Sequence, residues 1–133
     1  MIDSLFTSSG ARKYLSHNEL DRFIVMAGKQ ERAEVRTFCL VLAHTGARIS
    51  EVLALTANNV DMIEGMITLR SLKQRTQERH RSVPVPLSTL DALELVHGIR
   101  KAQKGRKNPP LLWRWKRTQG WKHIKAVMAA TQI

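Results

Sequence analysis

Residues 44–55, HTGARISEVLAL, place one arginine between two apolar helical stretches, directly after a glycine that is typical of a helix end. The guanidinium of Arg48 is planar and permanently charged, and it can bind a phosphate through two parallel hydrogen bonds. A helix that begins beside it adds backbone N–H donors and the positive end of its dipole. Glu51, about one turn further on, could hold the guanidinium in one orientation. The segment predicts a phosphate site; the alternative is a surface arginine paired with Glu51 at a helix corner.

A basic stretch follows in residues 70–86, RSLKQRTQERHRSVPVP, where Glu78 is the single acid. Lys73 lies near the tip of a predicted hairpin. A lysine there is a flexible point charge that can reach a phosphodiester or protonate a leaving oxygen. The alternative is a solvated face without a catalytic lysine. The residues of this stretch that we expect to contact DNA phosphates are Arg70, Arg75, Arg79 and Arg81.

The net charge indicates a polyanion as the partner. The 133 residues carry 22 Lys and Arg against 11 Asp and Glu, which gives a net charge of +11 and a pI near 10.7. Residues 1–69 have a net charge of −1 and residues 70–133 have one of +12, which predicts a basic face. Residues 100–117 are predicted to form a proline-broken basic loop that follows backbone phosphates without reading sequence. The DNA contacts expected from this loop are Lys104, Arg106, Lys107, Arg114, Lys116 and Arg117.

Three tryptophans, Trp113, Trp115 and Trp121, lie among these cations. Tryptophans in a basic segment could stack on nucleic-acid bases. More often, tryptophans at such spacing anchor a small core, and we favour that interpretation.

The other chemistry-bearing residues predict no cofactor and no metal site. The five histidines lack metal-ligand spacing, and one cysteine cannot complete a zinc site. Cys39 lies in an apolar run, which favours a buried structural thiol in a reducing compartment. There is no phosphate-cradling glycine loop. The sequence shows neither a signal peptide nor an apolar run of membrane-spanning length, so we expect a cytoplasmic protein without a membrane partner.

Apolar periodicity predicts a mainly helical α+β domain with a small three-stranded antiparallel sheet. Residues 1–15 are interpreted as a flexible leader, and Ser16 with Glu19 as a capping box that opens the first helix. Gly46 is the expected left-handed stop of the second helix, and Ser88 is the expected cap of the fourth. Helices are predicted over residues 17–28, 31–45, 48–55, 88–99 and from 118 onward.

Strands are predicted over residues 60–63, 66–72 and 79–85, with a Glu-Gly turn at 64–65 between the first two. Pro84 and Pro86 confine the end of the third strand to a sheet edge, because proline cannot donate to a neighbouring strand. The basic hairpin would therefore lie at one margin of the domain.

Taken together, these segments resemble the tyrosine recombinase, or phage integrase, family. Residues 45–55, TGARISEVLAL, are similar to its first conserved box. The order that follows also matches: a short helix, a hairpin with a Glu-Gly turn, a basic lysine hairpin, and Arg-x-x-Val-Pro before a helix. The resemblance covers roughly residues 14–130. It implies the fold of the DNA breaking-rejoining enzymes, and cleavage and rejoining of DNA through a 3′-phosphotyrosyl intermediate without a metal or nucleotide.

The resemblance also implies roles for three residues. Arg48 would be the first catalytic arginine, binding the scissile phosphate and its additional transition-state charge. Lys73 would assist departure of the 5′ oxygen, and Glu51 would be the supporting carboxylate. The family often flanks this lysine with glycines, whereas here the neighbours are Leu and Gln, which leaves Arg75 as a competitor.

The sequence also departs from the family pattern, because the His-x-x-Arg box and the downstream tyrosine are not present. Tyr14 is the only tyrosine and lies upstream of Arg48. We therefore interpret residues 16–133 as a partial, truncated catalytic domain that binds double-stranded DNA but lacks the nucleophile and is inactive alone. The full-length parent is expected to be a site-specific recombinase of a mobile element that self-associates on DNA.

Two alternatives from other classes are a DNA-binding module and an RNA-binding protein. The first would use the corner at residues 44–55 as a helix-turn-helix, with the basic half of the chain as phosphate contacts. The second is disfavoured, because aromatic residues make up 5% of the chain and no aromatic strand motif is present.

Overall fold

The structure, a computed structural model, describes residues 15–71, 79–105 and 107–133. Its helices and strands follow the predicted order. The helices are α1 (His17–Gly28), α2 (Ala33–Thr45), α3 (Ile49–Leu53), α4 (Leu87–His97), α5 (Ile99–Gly105) and α6 (Arg117–Ala130). The strands are β1 (Val60–Asp61), β2 (Met66–Ser71) and β3 (Arg79–Pro84), and a short 3-10 helix (Ala57–Asn59) precedes β1. The predicted leader lies outside the described residues except for Leu15, which packs against the core.

The local signals at two helix ends are confirmed. At the start of α1, the Ser16 hydroxyl accepts a hydrogen bond from the Glu19 N–H at 3.1 Å, and the Glu19 carboxylate accepts one from the Ser16 N–H at 2.9 Å. At the end of α2, Gly46 adopts the left-handed conformation with φ 65°. A residue with a Cβ is strained there, so the glycine terminates the helix and turns the chain toward α3.

The three strands form one antiparallel sheet in the order β1-β2-β3, so β3 lies at an edge, as the prolines predict. The register pairs Ile67 with Val83 and Leu69 with Arg81. Because side chains alternate along a strand, these four residues share one face of the sheet. Ile67 and Leu69 are fully buried, which identifies this as the inner face, directed at the core.

The core lies between the helices and the inner face of the sheet, with α2 passing through it. Phe38 and Cys39 are fully buried, and burial raises the pKa of the Cys39 thiol to about 12. This confirms a structural thiol that is unreactive at neutral pH. The indole N–H of Trp113 donates to the Glu34 carbonyl at 2.9 Å, and its ring meets Phe38 edge-to-face at 5.5 Å. Trp115 packs on Phe38 in the same way at 5.4 Å, so the core interpretation of these two tryptophans is confirmed.

The predicted cap of α4 is wrong. The helix begins at Leu87 and its N-cap residue is Pro86, whereas Ser88 lies within the first turn and is exposed. Pro86 has φ −61° and ψ 149°, and its carbonyl accepts the N–H groups of Thr89 and Leu90. The fixed φ of proline lets it precede the helix without a side-chain cap.

The predicted loop over residues 100–117 is also partly wrong, because α5 covers residues 99–105. Gly98, with φ 61°, ends α4 in the left-handed conformation, and a new helix starts directly after it. The Gln103 amide anchors this helix, donating to the carbonyls of Ala57 and Val60 at 2.8 and 2.7 Å. The irregular segment is therefore shorter than predicted and begins after α5.

Helix α6 is held against the rest of the core at Gly120. A Cβ placed on this residue would lie 3.1 Å from Phe38 Cζ and 3.4 Å from Ile49 Cγ2. We expect Gly120→Val to lower the free energy of unfolding by about 1–3 kcal/mol, because the added methyl groups overfill this contact. Ala126→Val, at an exposed position of the same helix, should cost only about 0.5 kcal/mol through helix propensity. Urea unfolding measures both, and equal losses would contradict the packing argument.

A second prediction concerns the partly buried His97, whose Nε2 lies 2.8 Å from Thr37 Oγ1. Burial lowers the pKa of His97 from its ordinary 6.5, and the charge of Glu34 opposes this only in part. The unfolded chain then binds a proton more readily, so this contribution to stability is present above pH 6.5 and is lost as the pH falls through the lowered value. We expect unfolding curves to show a smaller loss of stability between pH 7 and pH 5 in His97→Gln than in the unchanged protein. An identical pH dependence would exclude this role.

Candidate functional site

The corner between α2 and α3 is built by short-range contacts that fix its backbone. The Gly46 N–H donates to the Leu42 carbonyl at 3.0 Å, and the Thr45 hydroxyl donates to the Val41 carbonyl at 2.7 Å. The Ala47 N–H donates in turn to the Thr45 hydroxyl at 3.3 Å, and Ala47 is fully buried. The chain therefore leaves α2 along one path before it reaches the candidate arginine.

Arg48 is the N-cap residue of α3. Its backbone is extended, with φ −79° and ψ 154°, and its carbonyl accepts the Val52 N–H at 3.1 Å. Ile49, the next residue, is buried, whereas Arg48 is partly exposed. The guanidinium is thus carried on a backbone position that is fixed on both sides, beside the start of a helix.

Glu51 connects this corner to the sheet. Its Oε1 accepts the Arg48 backbone N–H at 2.9 Å and Arg81 Nη2 at 3.2 Å, while its Oε2 accepts Arg81 Nη1 at 2.9 Å. The Glu51 side chain is 5% exposed, whereas that of Arg81 is 46% exposed. A carboxylate buried to this degree needs such donors, and here they come from two different segments of the chain.

The surroundings keep Glu51 ionised. Burial alone would raise the pKa of its carboxyl group, but the Arg81 side-chain hydrogen bonds, the Arg48 N–H and the charges of both arginines outweigh that effect. The net pKa lies below the ordinary value. Burial also lowers the pKa of His44, in the last turn of α2, so His44 is neutral at pH 7 and adds no charge to the corner.

The first turn of α6 lies beside the same corner. A pocket of about 200 Å³ is lined by Ile49 of α3 and by Arg117, Thr118 and Trp121 of α6. Arg117 is exposed, so a second cation lies at this pocket, which is lined by the residue that follows Arg48. Trp121 is only partly buried and has Lys125 Nζ 6.0 Å from its ring centroid.

The structure identifies no metal site in the residues that it describes, since no group of three or more His, Cys, Asp or Glu side chains lies together there. Within residues 15–71, 79–105 and 107–133, no helix is long and apolar enough to cross a membrane. The chemistry that the described part of the corner offers is that of arginine donors around one ionised carboxylate.

Comparison with known proteins assigns the chain to a family. The sequence signature of the phage integrase family matches residues 13–125. The chain belongs to the phage integrase family. Its structure is similar to the one described as the crystal structure of XerA recombinase, with a TM-score of 0.68 and 25% sequence identity. The match covers 90% of this chain and 43% of that one, so this chain spans less than half the length of its structural relative. No curated protein matches the sequence.

Membership of the phage integrase family confirms the resemblance and the fold class that the sequence predicted. The predicted site residues are not all brought together. Arg48, Glu51 and Arg81 meet at the corner, whereas Arg70 pairs with His80 on the outer face, the side of the sheet opposite Ile67 and Leu69. The predicted catalytic residue Lys73 and the predicted contacts Arg75 and Arg106 lie outside the described residues. The remaining predicted contacts are all exposed: Arg79, Lys104, Lys107, Arg114, Lys116 and Arg117.

Sequence reasoning did not find the contact between Arg81 and Glu51, and placed Arg81 among the phosphate contacts of a solvated hairpin. A signal was available in the alternation of the strand. Arg81 lies two residues before Val83 and four before Val85, and residues separated by two or four positions along a strand point to the same face of the sheet. That face proved to be the inner one, directed at α3.

A prediction for acid conditions follows from the lowered pKa of Glu51. Because the folded value lies below the ordinary 4.5, the ionised carboxylate stabilises the fold above pH 4.5, and this contribution is lost as the pH falls through the folded value. We expect Glu51→Gln to cost about 2 kcal/mol at pH 7 and progressively less below pH 4.5. Glu64→Gln, in an exposed turn, is the matched control and should cost little at any pH. Urea unfolding across this range checks both, and a cost that does not change with pH would contradict the assignment.

Proposed function

We propose that this chain supplies the first-arginine part of the catalytic site of a DNA-cleaving and rejoining recombinase. The observation that supports it best is the fixed placement of Arg48 at the start of α3, with its backbone N–H bound by the buried carboxylate of Glu51. Because this backbone position is fixed, the guanidinium is presented from a defined point at the start of the helix, which favours productive placement against a phosphate. The structural relative is described as a recombinase, which fits the same role.

In the proposed reaction, a tyrosine hydroxyl attacks the scissile phosphorus and releases its proton to water, and the bond to the 5′ oxygen breaks. The phosphate gains charge in the transition state, and Arg48 stabilises it there with a pair of charge-assisted hydrogen bonds. Lys73 donates a proton to the departing 5′ oxygen. The second step reverses these events with a new 5′ hydroxyl, so no metal or nucleotide is consumed.

The nucleophile in this proposal comes from outside residues 1–133. Tyr14 is the only tyrosine and precedes the first box, whereas the family order places the attacking residue after it. Covalent catalysis requires that hydroxyl, and we propose that this chain alone binds double-stranded DNA without cleaving it. Self-association on DNA, a mobile-element origin and action in the cytoplasm belong to the same proposal.

DNA binding is proposed to use the basic half of the chain. Five of the exposed cations that follow α4 are predicted DNA contacts, namely Lys104, Lys107, Arg114, Lys116 and Arg117, and no acidic residue occurs after Glu94. Such contacts hold the phosphate backbone without reading the bases, and their contribution to affinity falls steeply with salt.

The helix-turn-helix alternative has less support from the geometry of the corner. Helix α3 has five residues, and four of them are buried: Ile49, Glu51, Val52 and Leu53. A recognition helix must present side chains to the major groove along an exposed face. Because α3 faces the core instead, the corner is better suited to holding one guanidinium than to reading bases.

The test of this function begins with the source DNA, read in the same frame beyond codon 133. If the frame continues into a His-x-x-Arg box and a tyrosine, we expect the longer product to form a covalent adduct with its DNA site. Arg48→Ala should reduce that adduct about 100-fold or more and weaken DNA binding only a few-fold, since many phosphate contacts remain.

Arg114→Ala is the matched control. It removes an exposed cation that lines a different pocket, beside Glu34, and should weaken binding without abolishing the adduct. Gel detection of the adduct and fluorescence anisotropy of a labelled duplex provide the two measurements. Equal losses of adduct in the two variants would contradict a catalytic role for Arg48. A stop codon directly after Ile133 would remove the cleavage part of the proposal.

A further inference from the structure

The contact between Glu51 and Arg81 joins the two segments that the proposed function needs. The residues are 30 positions apart in sequence, and each guanidinium nitrogen of the pair contacts its own carboxylate oxygen, at 2.9 and 3.2 Å. The oxygen nearer to Nη2 also accepts the Arg48 backbone N–H. One carboxylate is therefore shared between the backbone that carries the catalytic guanidinium and a side chain of strand β3.

The negative charge of the shared Glu51 carboxylate affects phosphate binding at Arg48. A carboxylate that is close to a phosphate-binding arginine repels the phosphate unless its charge is balanced. Arg81 balances it with two hydrogen bonds, and the Glu51 oxygens are then directed at donors rather than at an incoming anion. An uncompensated Glu51 would also compete for the Arg48 guanidinium, which the phosphate requires.

The same contact also attaches strand β3 to helix α3. Five of its six residues are exposed, and only Val83 is partly buried. Its backbone pairs with β2, the Ser82 hydroxyl lies 2.9 Å from that of Thr68, and Val83 packs against the core. The ion pair from Arg81 adds a contact to α3. The Arg81 contact therefore sets how the edge of the sheet lies against the corner.

We propose that Arg81 is a positioning residue for the reaction: acting through the Glu51 carboxylate, it orients Arg48 toward the phosphate and fixes strand β3 against the catalytic corner. This inference rests on the proposed function and replaces the expectation that Arg81 itself contacts DNA. Substituting either a positioning residue or a direct phosphate contact weakens DNA binding. Only for the positioning residue should the size of that loss depend on the presence of the Glu51 carboxylate.

A double-mutant cycle separates these roles. We expect Arg81→Gln to weaken binding of a short labelled duplex about tenfold when Glu51 is present, because the carboxylate is then unbalanced. In the Glu51→Gln background the same change should weaken binding less than about twofold, since no charge remains to be balanced. Arg81→Lys keeps the charge and loses the paired geometry, so it should fall between these values.

Arg79→Gln is the matched control. Arg79 is exposed and lies two residues away on the same face of β3, where it pairs with Ser71. As a direct phosphate contact, it should weaken binding by the same factor in both backgrounds. If Arg81→Gln behaves as Arg79→Gln does, with equal effects whether or not Glu51 is ionisable, the positioning role is overturned.

A spectroscopic measurement keeps the inference testable without DNA. The Arg48 Nε–H resonance should move in Arg81→Gln and return toward its original position in Arg81→Lys, but should not move in Arg79→Gln. An unmoved resonance in a folded Arg81→Gln variant would contradict the proposal. If the unchanged protein binds no duplex, the proposed function fails, and this resonance still decides whether Arg81 acts on Arg48. Urea unfolding establishes that each variant is folded. Where Arg81→Gln is not, Arg81→Lys replaces it in the binding cycle: it should weaken binding measurably when Glu51 is present and have less effect in the Glu51→Gln background, and equal effects in the two backgrounds would overturn the positioning role.

Discussion

The buried carboxylate of Glu51 is the constraint on which the candidate site depends. A carboxylate removed from water must be supplied with donors, or it becomes protonated or destabilises the fold. The protein meets this requirement with a backbone N–H of the helix corner and with the guanidinium of a strand residue. Because the donors lie on different elements, satisfying one side chain fixes the relation between α3 and the edge of the sheet.

The rigidity of that relation comes from the helical core behind it. Gly120 of α6 lies against Phe38 and Ile49, so α6, α2 and the first residue of α3 are in close contact. Phe38 in turn meets Trp113 edge-to-face, and the Trp113 indole is bonded to the backbone of α2. A displacement of α3 would disturb this packing, because close-packed interiors transmit strain. The corner therefore presents Arg48 from a surface that cannot adjust freely.

The sequence predicted those features whose causes are local. The capping box at Ser16 and the left-handed stop at Gly46 each depend on residues within one helical turn, and both are confirmed. The cap at Ser88 was predicted on the same local rule and is wrong, since the preceding proline already supplies a suitable backbone.

Helix α5 was missed because its basic composition resembles that of a solvated loop, and its anchor, Gln103, bonds to carbonyls more than 40 residues away. The Arg81 contact was missed for a related reason: a count of charges along a hairpin does not show which face of the sheet each charge occupies.

The two halves of the chain, which differ in net charge, contribute different residues to the proposed site. The nearly neutral first half contains Arg48 and the carboxylate that binds its backbone N–H, whereas the strongly basic second half contains the exposed cations proposed to bind the DNA backbone. Affinity for DNA can be spread over many interchangeable cations, because each contact adds a similar increment. Orientation of one guanidinium cannot be spread in this way, since it requires a buried partner in a defined position. Arg81 belongs by sequence to the basic half and by contact to the corner, because its guanidinium pairs with the Glu51 carboxylate.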